Sequence, residues 1–155
     1  MADPSRGELP GAVLFACNLN RVRSPMAEGL MKRLFGNRVY VDSCGLRAGE
    51  DDMVDPFVIA VMDEIGVDVT DHRCKTFEDL DADAFDVVVS LSPEAHHRAV
   101  ELARGRAVDI EYWPTLDPTL TLGARDTVLD AYRTVRAALE ERIRRRFPQA
   151  RTFGG

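Results

Sequence analysis

The stretch AVLFACNLNRVRSPMAEGL, Ala12 to Leu30, decides how this chain begins to fold. Its first six residues, Ala12–Cys17, form a short apolar run of the kind that makes a strand buried on both faces. Ser24 and Pro25 suit the N-cap and the first position of a helix, and apolar side chains then recur at helical spacing until Gly36. The stretch therefore predicts a strand, a tight turn and a helix, with one thiol and two arginines in the turn.

The rest of the chain repeats this alternation of strand-like and helix-like segments. Further strands are predicted at 38–44, 85–91 and 106–113, and helices at 55–66, at 92–105 and over the long apolar stripe that runs from Val128 to Phe147. Such alternation predicts an α/β fold with a parallel sheet covered on both sides, in which ligands bind beyond the carboxyl ends of the strands. No linker or repeat divides the sequence, so we predict one domain over 1–155, with residues 1–10 flexible.

Composition and charge exclude several classes of function. The 155 residues are 45% hydrophobic and 30% charged, which is typical of a soluble globular protein, and the net charge of −6 disfavours binding to nucleic acid. No apolar run approaches the ~18 residues of a membrane span, and the N-terminus lacks the features of a secretory signal. We expect a cytoplasmic protein that binds neither membranes nor nucleic acid. Its three widely spaced cysteines are expected to be free thiols, with no metal site and no cofactor.

The turn after the first strand has the chemistry of an anion site. Backbone N–H groups and the dipole of the following helix favour phosphate there, and Arg23 can hold two of its oxygens. Cys17 lies at the base of the same turn, where these groups favour its thiolate, a nucleophile beside the bound anion. By itself, a cysteine and an arginine enclosing five residues (CX5R) is equally typical of a buried strand-end cysteine with surface arginines. Its position between a strand and a Ser-Pro helix start favours the functional interpretation.

Together, VLFACNLNRVRSPMAEGL, VDSCG, DPFVIAVMDEIGVDVTDHR, FDVVVSLSPE and DPT resemble the low-molecular-weight protein tyrosine phosphatases and the arsenate reductases that share their fold. The resemblance implies a three-layer sandwich, a four-stranded parallel sheet flanked by helices, with the phosphate-binding loop after the first strand. It implies Cys17 as nucleophile, Arg23 as phosphate ligand and Ser24 as a hydroxyl that supports the thiolate. The implied phosphate-binding residues are Asn18, Leu19, Asn20, Arg21, Val22 and Arg23, and the implied supports of the loop are Asn20, Ser43 and His72.

Asp117, in the loop after the fourth predicted strand, occupies the place of the family's general acid. A carboxyl group near the departing oxygen can protonate it, and Pro118 stiffens the loop. The Asp55-Pro56 pair has the same sequence, but it begins a helix, so we interpret Asp55 as a cap.

The chain departs from the family pattern around the rim of the site. Thr119 and Leu120 replace the aromatic side chains that commonly enclose a phosphotyrosine ring, and Val22 replaces a second cysteine of the loop. Arg21 and Arg47 are expected to favour an acidic or second anionic group at the rim. These departures leave phosphate chemistry intact and predict weak turnover of simple phosphotyrosine peptides.

Three functions remain open on the sequence. The leading hypothesis is a cysteine-dependent phosphatase that acts on a phosphorylated protein or a small phosphoester through a phosphocysteine, as a monomer or weak homodimer. The second is an arsenate reductase that uses an external thiol, because Cys44 and Cys74 are too far apart in sequence for the thioredoxin-coupled version. The third is a non-catalytic anion-binding or regulatory module.

Overall fold

The computed structural model describes residues 9–148, so the predicted flexibility of 1–10 falls largely outside the described residues. The strands are β1 (Ala12–Cys17), β2 (Tyr40–Gly45), β3 (Val87–Ser90) and β4 (Asp109–Tyr112). The helices are α1 (Arg23–Phe35), α2 (Pro56–Asp63), α3 (Pro93–Ala103) and α4 (Arg125–Arg146), and four short 3-10 helices lie at Gly36–Arg38, Phe77–Asp79, Ala82–Ala84 and Pro118–Leu120.

The four strands form one parallel sheet in the order β2-β1-β3-β4. Along β1 the side chains of Val13, Phe15 and Cys17 enter the larger core, which α1, α2 and α4 cover. The alternate residues, Leu14 and Ala16 among them, enter a smaller core on the opposite face, under α3. The predicted α/β sandwich with a four-stranded parallel sheet is confirmed.

Helix boundaries confirm the predicted cap at Asp55, show another at Ser92 and correct the one predicted at Ser24. The carboxylate of Asp55 accepts a hydrogen bond from the Phe57 amide, and the hydroxyl of Ser92 accepts one from the Ala95 amide. The prediction that Ser24 caps α1 is wrong. The helix begins at Arg23, so Ser24 lies inside its first turn and makes no capping hydrogen bond. Its hydroxyl instead contacts Cys17 Sγ in the loop before the helix.

The predicted apolar stripe on the last helix covers the larger core. Tyr132, Val135, Leu139 and Ile143 are buried along α4, and Phe147 is buried immediately after it. Within residues 9–148 no helix is both long and apolar enough to cross a membrane.

Candidate active site

The segment from Cys17 to Arg23 closes into a loop between β1 and α1, at the carboxyl edge of the sheet. Its carbonyl groups point outward and are bound by neighbouring segments: Leu46 N and Arg47 N donate to Asn18 O at 2.8 and 3.1 Å, and Asp55 N donates to Arg21 O at 3.0 Å. The backbone N–H groups of residues 18–22 donate no hydrogen bond to any of the described residues 9–148. The loop therefore keeps a set of donors free beside the Cys17 thiol, which is the arrangement that binds an anion.

Asn20 holds this loop in shape from its outer side. It is the one non-glycine residue with positive φ (60°) in the described chain, and it is fully buried. Its Nδ2 donates to Ser24 Oγ at 2.8 Å and to Ser43 Oγ at 2.9 Å, and its Oδ1 accepts from Lys75 N at 3.1 Å. The side chain thus points away from the anion cradle, and only its backbone can serve a bound anion.

Ser24 connects this support to the nucleophile. Its Oγ lies 2.9 Å from Cys17 Sγ, and it also lies within donating distance of Cys44 O at 3.3 Å. Because Asn20 donates to the same oxygen, the single hydroxyl proton of Ser24 is left to donate to the sulfur or to that carbonyl. Ser24 is therefore placed to stabilise a Cys17 thiolate.

A buried polar cluster continues behind Asn20. Ser43 Oγ donates to Glu28 Oε1 at 2.5 Å, and His72 Nε2 lies 3.1 Å from both Asn20 O and Asn20 Oδ1. Burial lowers the pKa of His72, while Glu28, 3.8 Å from Nδ1, opposes that shift. The structure brings all three predicted loop supports together and adds Glu28, which was not predicted from the sequence. An acidic residue on the apolar side of α1 is the signal that could have identified it.

Arg23 links the loop to the segment that carries Asp117. Arg23 is 8% exposed, its Nη1 donates to Thr115 O at 3.0 Å, and its Nη2 lies 4.0 Å from Asp117 Oδ2. Asp117 Oδ1 accepts hydrogen bonds from Thr119 N at 3.0 Å and from Thr119 Oγ1 at 2.6 Å. The two side chains predicted to bind and protonate the substrate therefore lie at one pocket.

That pocket has a volume of about 350 Å³ and contains no aromatic ring in its lining, which consists of Cys17, Asn18, Leu19, Arg21, Val22, Arg23, Arg47, Asp55, Asp117 and Thr119. Trp113, which precedes the Asp117 segment, is buried against Phe15 and Phe147. Among the described residues 9–148, none provides an aromatic wall for a phenyl ring at this site. Asp55 was interpreted only as a cap, yet it also lines the pocket, which its sequence position did not reveal.

The other two cysteines do not share this pocket. Ala16 pairs with Cys44 and Cys17 with Gly45 across the parallel strands, so Cys44 points to the opposite face of the sheet, into the smaller core. Cys74 touches the outside of the loop, where its Sγ donates to Asn20 O at 3.0 Å. Burial raises the pKa of both thiols, that of Cys74 to about 11. No group of three or more metal-ligating side chains occurs within residues 9–148.

Both the sequence and the fold of this chain are similar to those of known proteins. The profile of the family described as low molecular weight phosphotyrosine protein phosphatase matches residues 12–150. A glutaredoxin arsenate reductase from Synechocystis sp. is 35% identical over 131 residues, which are 84% of this chain and 92% of the relative. A solved arsenate reductase in its phosphate-binding state is 34% identical, with a TM-score of 0.66 over 85% of this chain and 92% of that one. A tyrosine phosphatase from Erwinia amylovora, 22% identical, shares the fold, with a TM-score of 0.70 over 87% of this chain and 89% of that one.

Proposed function

The chain belongs to the low molecular weight phosphotyrosine protein phosphatase family, and we propose that within this family it is an arsenate reductase that depends on an external thiol. The phosphatase hypothesis that led on the sequence is the second candidate. The observation that carries the proposal is the loop itself: free N–H donors and Arg23 lie beside the Cys17 thiol and suit a tetrahedral oxyanion, and the described lining of the pocket contains no aromatic ring.

Arsenate and phosphate have the same shape and charge, so the cradle alone does not separate them. Two observations favour arsenate. The two arsenate reductases described above are 35% and 34% identical and match over most of their own length, whereas the tyrosine phosphatase is similar at the level of fold. In addition, a phosphotyrosine ring would lose the stacking contacts that are worth about 0.5–1.5 kcal/mol per aromatic pair.

The proposed reaction begins with attack by the Cys17 thiolate on arsenic(V), which forms an S–As bond and expels one oxygen as water after protonation. Asp117 is the carboxyl group placed to supply a proton, and Arg23 holds the remaining oxygens. An external thiol then attacks the Cys17 sulfur. The new S–S bond forms as the S–As bond breaks, its electron pair stays on arsenic, and arsenite leaves as arsenic(III). A second external thiol reduces the mixed disulfide and restores Cys17.

The position of the other cysteines supports the need for an external thiol. Cys44 faces the opposite core, and a disulfide requires Cβ atoms about 3.5–4.5 Å apart with suitable direction. Cys74 bonds to a carbonyl on the outside of the loop and does not line the pocket. Neither thiol can reach the sulfur of Cys17 from the side on which arsenate binds.

The second candidate, hydrolysis of small phosphate esters, is favoured by Asp117. A carboxyl group 4.0 Å from the phosphate-binding arginine is also placed to protonate the leaving oxygen of an ester. The same Cys17 thiolate would then form a phosphocysteine that water hydrolyses. An ester with a small or acidic leaving group fits this pocket better than phosphotyrosine does.

Purified protein assayed with arsenate, glutathione and a glutaredoxin, with arsenite as the measured product, tests the proposal. We expect turnover that Cys17→Ser abolishes and that Arg23→Ala lowers by at least a hundredfold, while Cys44→Ala, on the opposite face, retains it. Parallel assays with para-nitrophenyl phosphate and a phosphotyrosine peptide measure the second candidate. The absence of arsenite above the enzyme-free rate, together with peptide turnover at 10⁵ M⁻¹s⁻¹ or more, would reject the proposal.

A further inference from the structure

Arg47 is the cation at the mouth of the pocket that the first step of the reaction leaves unused. Its backbone N–H donates to Asn18 O at 3.1 Å, and Asn18 is the residue that follows Cys17. This hydrogen bond fixes the backbone of Arg47 against the loop. Its side chain is exposed and lines the same pocket as the Cys17 thiol. Within residues 9–148, the guanidinium makes no hydrogen bond or ion pair, so its donors are available to a ligand.

The carboxylates of the pocket are engaged elsewhere. Asp117 contacts Thr119 through one oxygen and faces Arg23 with the other. Asp55 accepts the Phe57 amide on Oδ1 and the hydroxyl of Tyr132 on Oδ2. The charged neighbours on the segment of Arg47 itself are the exposed acids at 50–52, of which Asp51 lies 4.0 Å from Arg21. Arg21 and Arg23 thus each lie near a carboxylate, and Arg47 does not.

The pocket is also larger than one oxyanion requires. A tetrahedral oxyanion has five heavy atoms and displaces at most about five waters, or ~150 Å³ at ~30 Å³ per water. The pocket measures about 350 Å³. A bound oxyanion therefore leaves part of this open pocket, which Arg47 also lines, for a second molecule.

We propose that Arg47 forms a subsite for a carboxylate of a small thiol co-substrate, which it holds while the thiol attacks the Cys17 sulfur. This inference rests on the proposed function, which requires an external thiol at Cys17. A guanidinium pairs with a carboxylate through two parallel hydrogen bonds, so it orients the bound molecule as well as attracting it. A carboxylate held at Arg47 leaves the sulfur of the same small molecule inside the pocket with Cys17.

Thiol exchange at Cys17 tests the subsite without arsenate. In a Cys74→Ser background, 2,2′-dithiodipyridine converts Cys17 to its pyridyl disulfide. Glutathione then attacks the Cys17 sulfur, an S–S bond forms between the two, and pyridine-2-thione leaves with the electron pair of the broken bond and is followed by its absorbance. Glutathione diethyl ester presents the same thiol with both carboxylates blocked.

We expect Arg47→Ala to lower the rate constant for glutathione about three- to tenfold and that for the diethyl ester less than twofold. The matched control is Arg104→Ala. Arg104 is an exposed arginine that follows α3 at the other end of the sheet and has no ion pair among the described residues, and this variant should change neither rate.

Equal losses for both thiols in Arg47→Ala, or no loss for either, would overturn the subsite. The outcome separates from that of the arsenate assay. If the wild type produces no arsenite but Arg47→Ala shows the selective loss, the reductase is refuted and the subsite is supported. If the wild type produces arsenite and Arg47→Ala shows no selective loss, the reductase is supported and the subsite is refuted.

Discussion

Replacing Gly45 by alanine should damage the loop of Cys17 more than it damages the fold. Gly45 ends β2, pairs with Cys17, and has no positive φ that would exclude a side chain. A Cβ built there would lie 2.7 Å from Leu19 C, 2.8 Å from Asn20 N and 2.9 Å from Asn18 O. All three are backbone atoms of the loop, so no side-chain rotation relieves the contact, and the loop itself must move.

The size of the effect follows from these distances. Ordinary contact begins at 3.4 Å, so a shift of the loop by about 0.7 Å, which is 3.4 minus 2.7, restores it, and a shift of about 0.3 Å is needed to reach even the tight limit of 3.0 Å. Overpacking of this kind costs about 1–3 kcal/mol. In a chain of this length each kcal/mol lowers Tm by about 2–4 °C. A displacement near 1 Å in a catalytic group can cost roughly 10²-fold in rate.

The assay compares Gly45→Ala with Gly49→Ala in thermal unfolding and in turnover of arsenate or para-nitrophenyl phosphate. A Cβ on Gly49 meets only Arg21 Cδ and Asp51 O, both at 3.7 Å, so this control should keep its activity and gain up to ~1 kcal/mol from the less flexible unfolded chain. We expect Gly45→Ala to fold, with a lower Tm and a rate reduced about 10²-fold. A Gly45→Ala protein with wild-type Tm and a rate within threefold would refute the steric argument.

Three further predictions concern the acid, the thiols and a surface ion pair. Asp117→Asn should slow hydrolysis of a phenyl phosphate by about 10²–10⁴-fold, and a loss below tenfold would point to another proton donor. Because burial raises the pKa of Cys74 to about 11, iodoacetamide at pH 7.5 should modify Cys17 alone, as peptide mass spectrometry can check. Equal modification of Cys74 would contradict this. Hydrogen bonds from Arg133 and Arg136 lower the pKa of Glu64 to about 2. This carboxylate therefore stabilises the fold above its unfolded pKa of ~4.3 and loses that contribution as the pH falls towards 2. The difference in Tm between wild type and Glu64→Gln should shrink from pH 7 to pH 2.5, and a constant difference would contradict the assignment.

Local patterns were sufficient to predict the fold and the composition of the loop. The apolar run at Ala12–Cys17 and the helical spacing after Pro25 are short-range signals, and parallel strands joined by helices leave few ways to build the sheet. The same reasoning failed at Ser24. A Ser-Pro pair is the usual start of a helix, but here the hydroxyl of Ser24 contacts Cys17 instead, and the helix begins two residues earlier without a capping side chain.

The sequence by itself determined that a strand, a turn suited to an anion and a helix would place Cys17 and Arg23 at one edge of a parallel sheet, and the resemblance to the family added Asp117. Only the tertiary structure decided which way each group faces. The alternation of β2 sends Cys44 to the opposite core, the register of β2 against β1 makes Gly45 touch the loop, and the following residues bring Arg47 to the mouth of the pocket. These positions depend on strand register and on contacts between segments distant in sequence, because a shift of one residue would reverse every side chain of the strand.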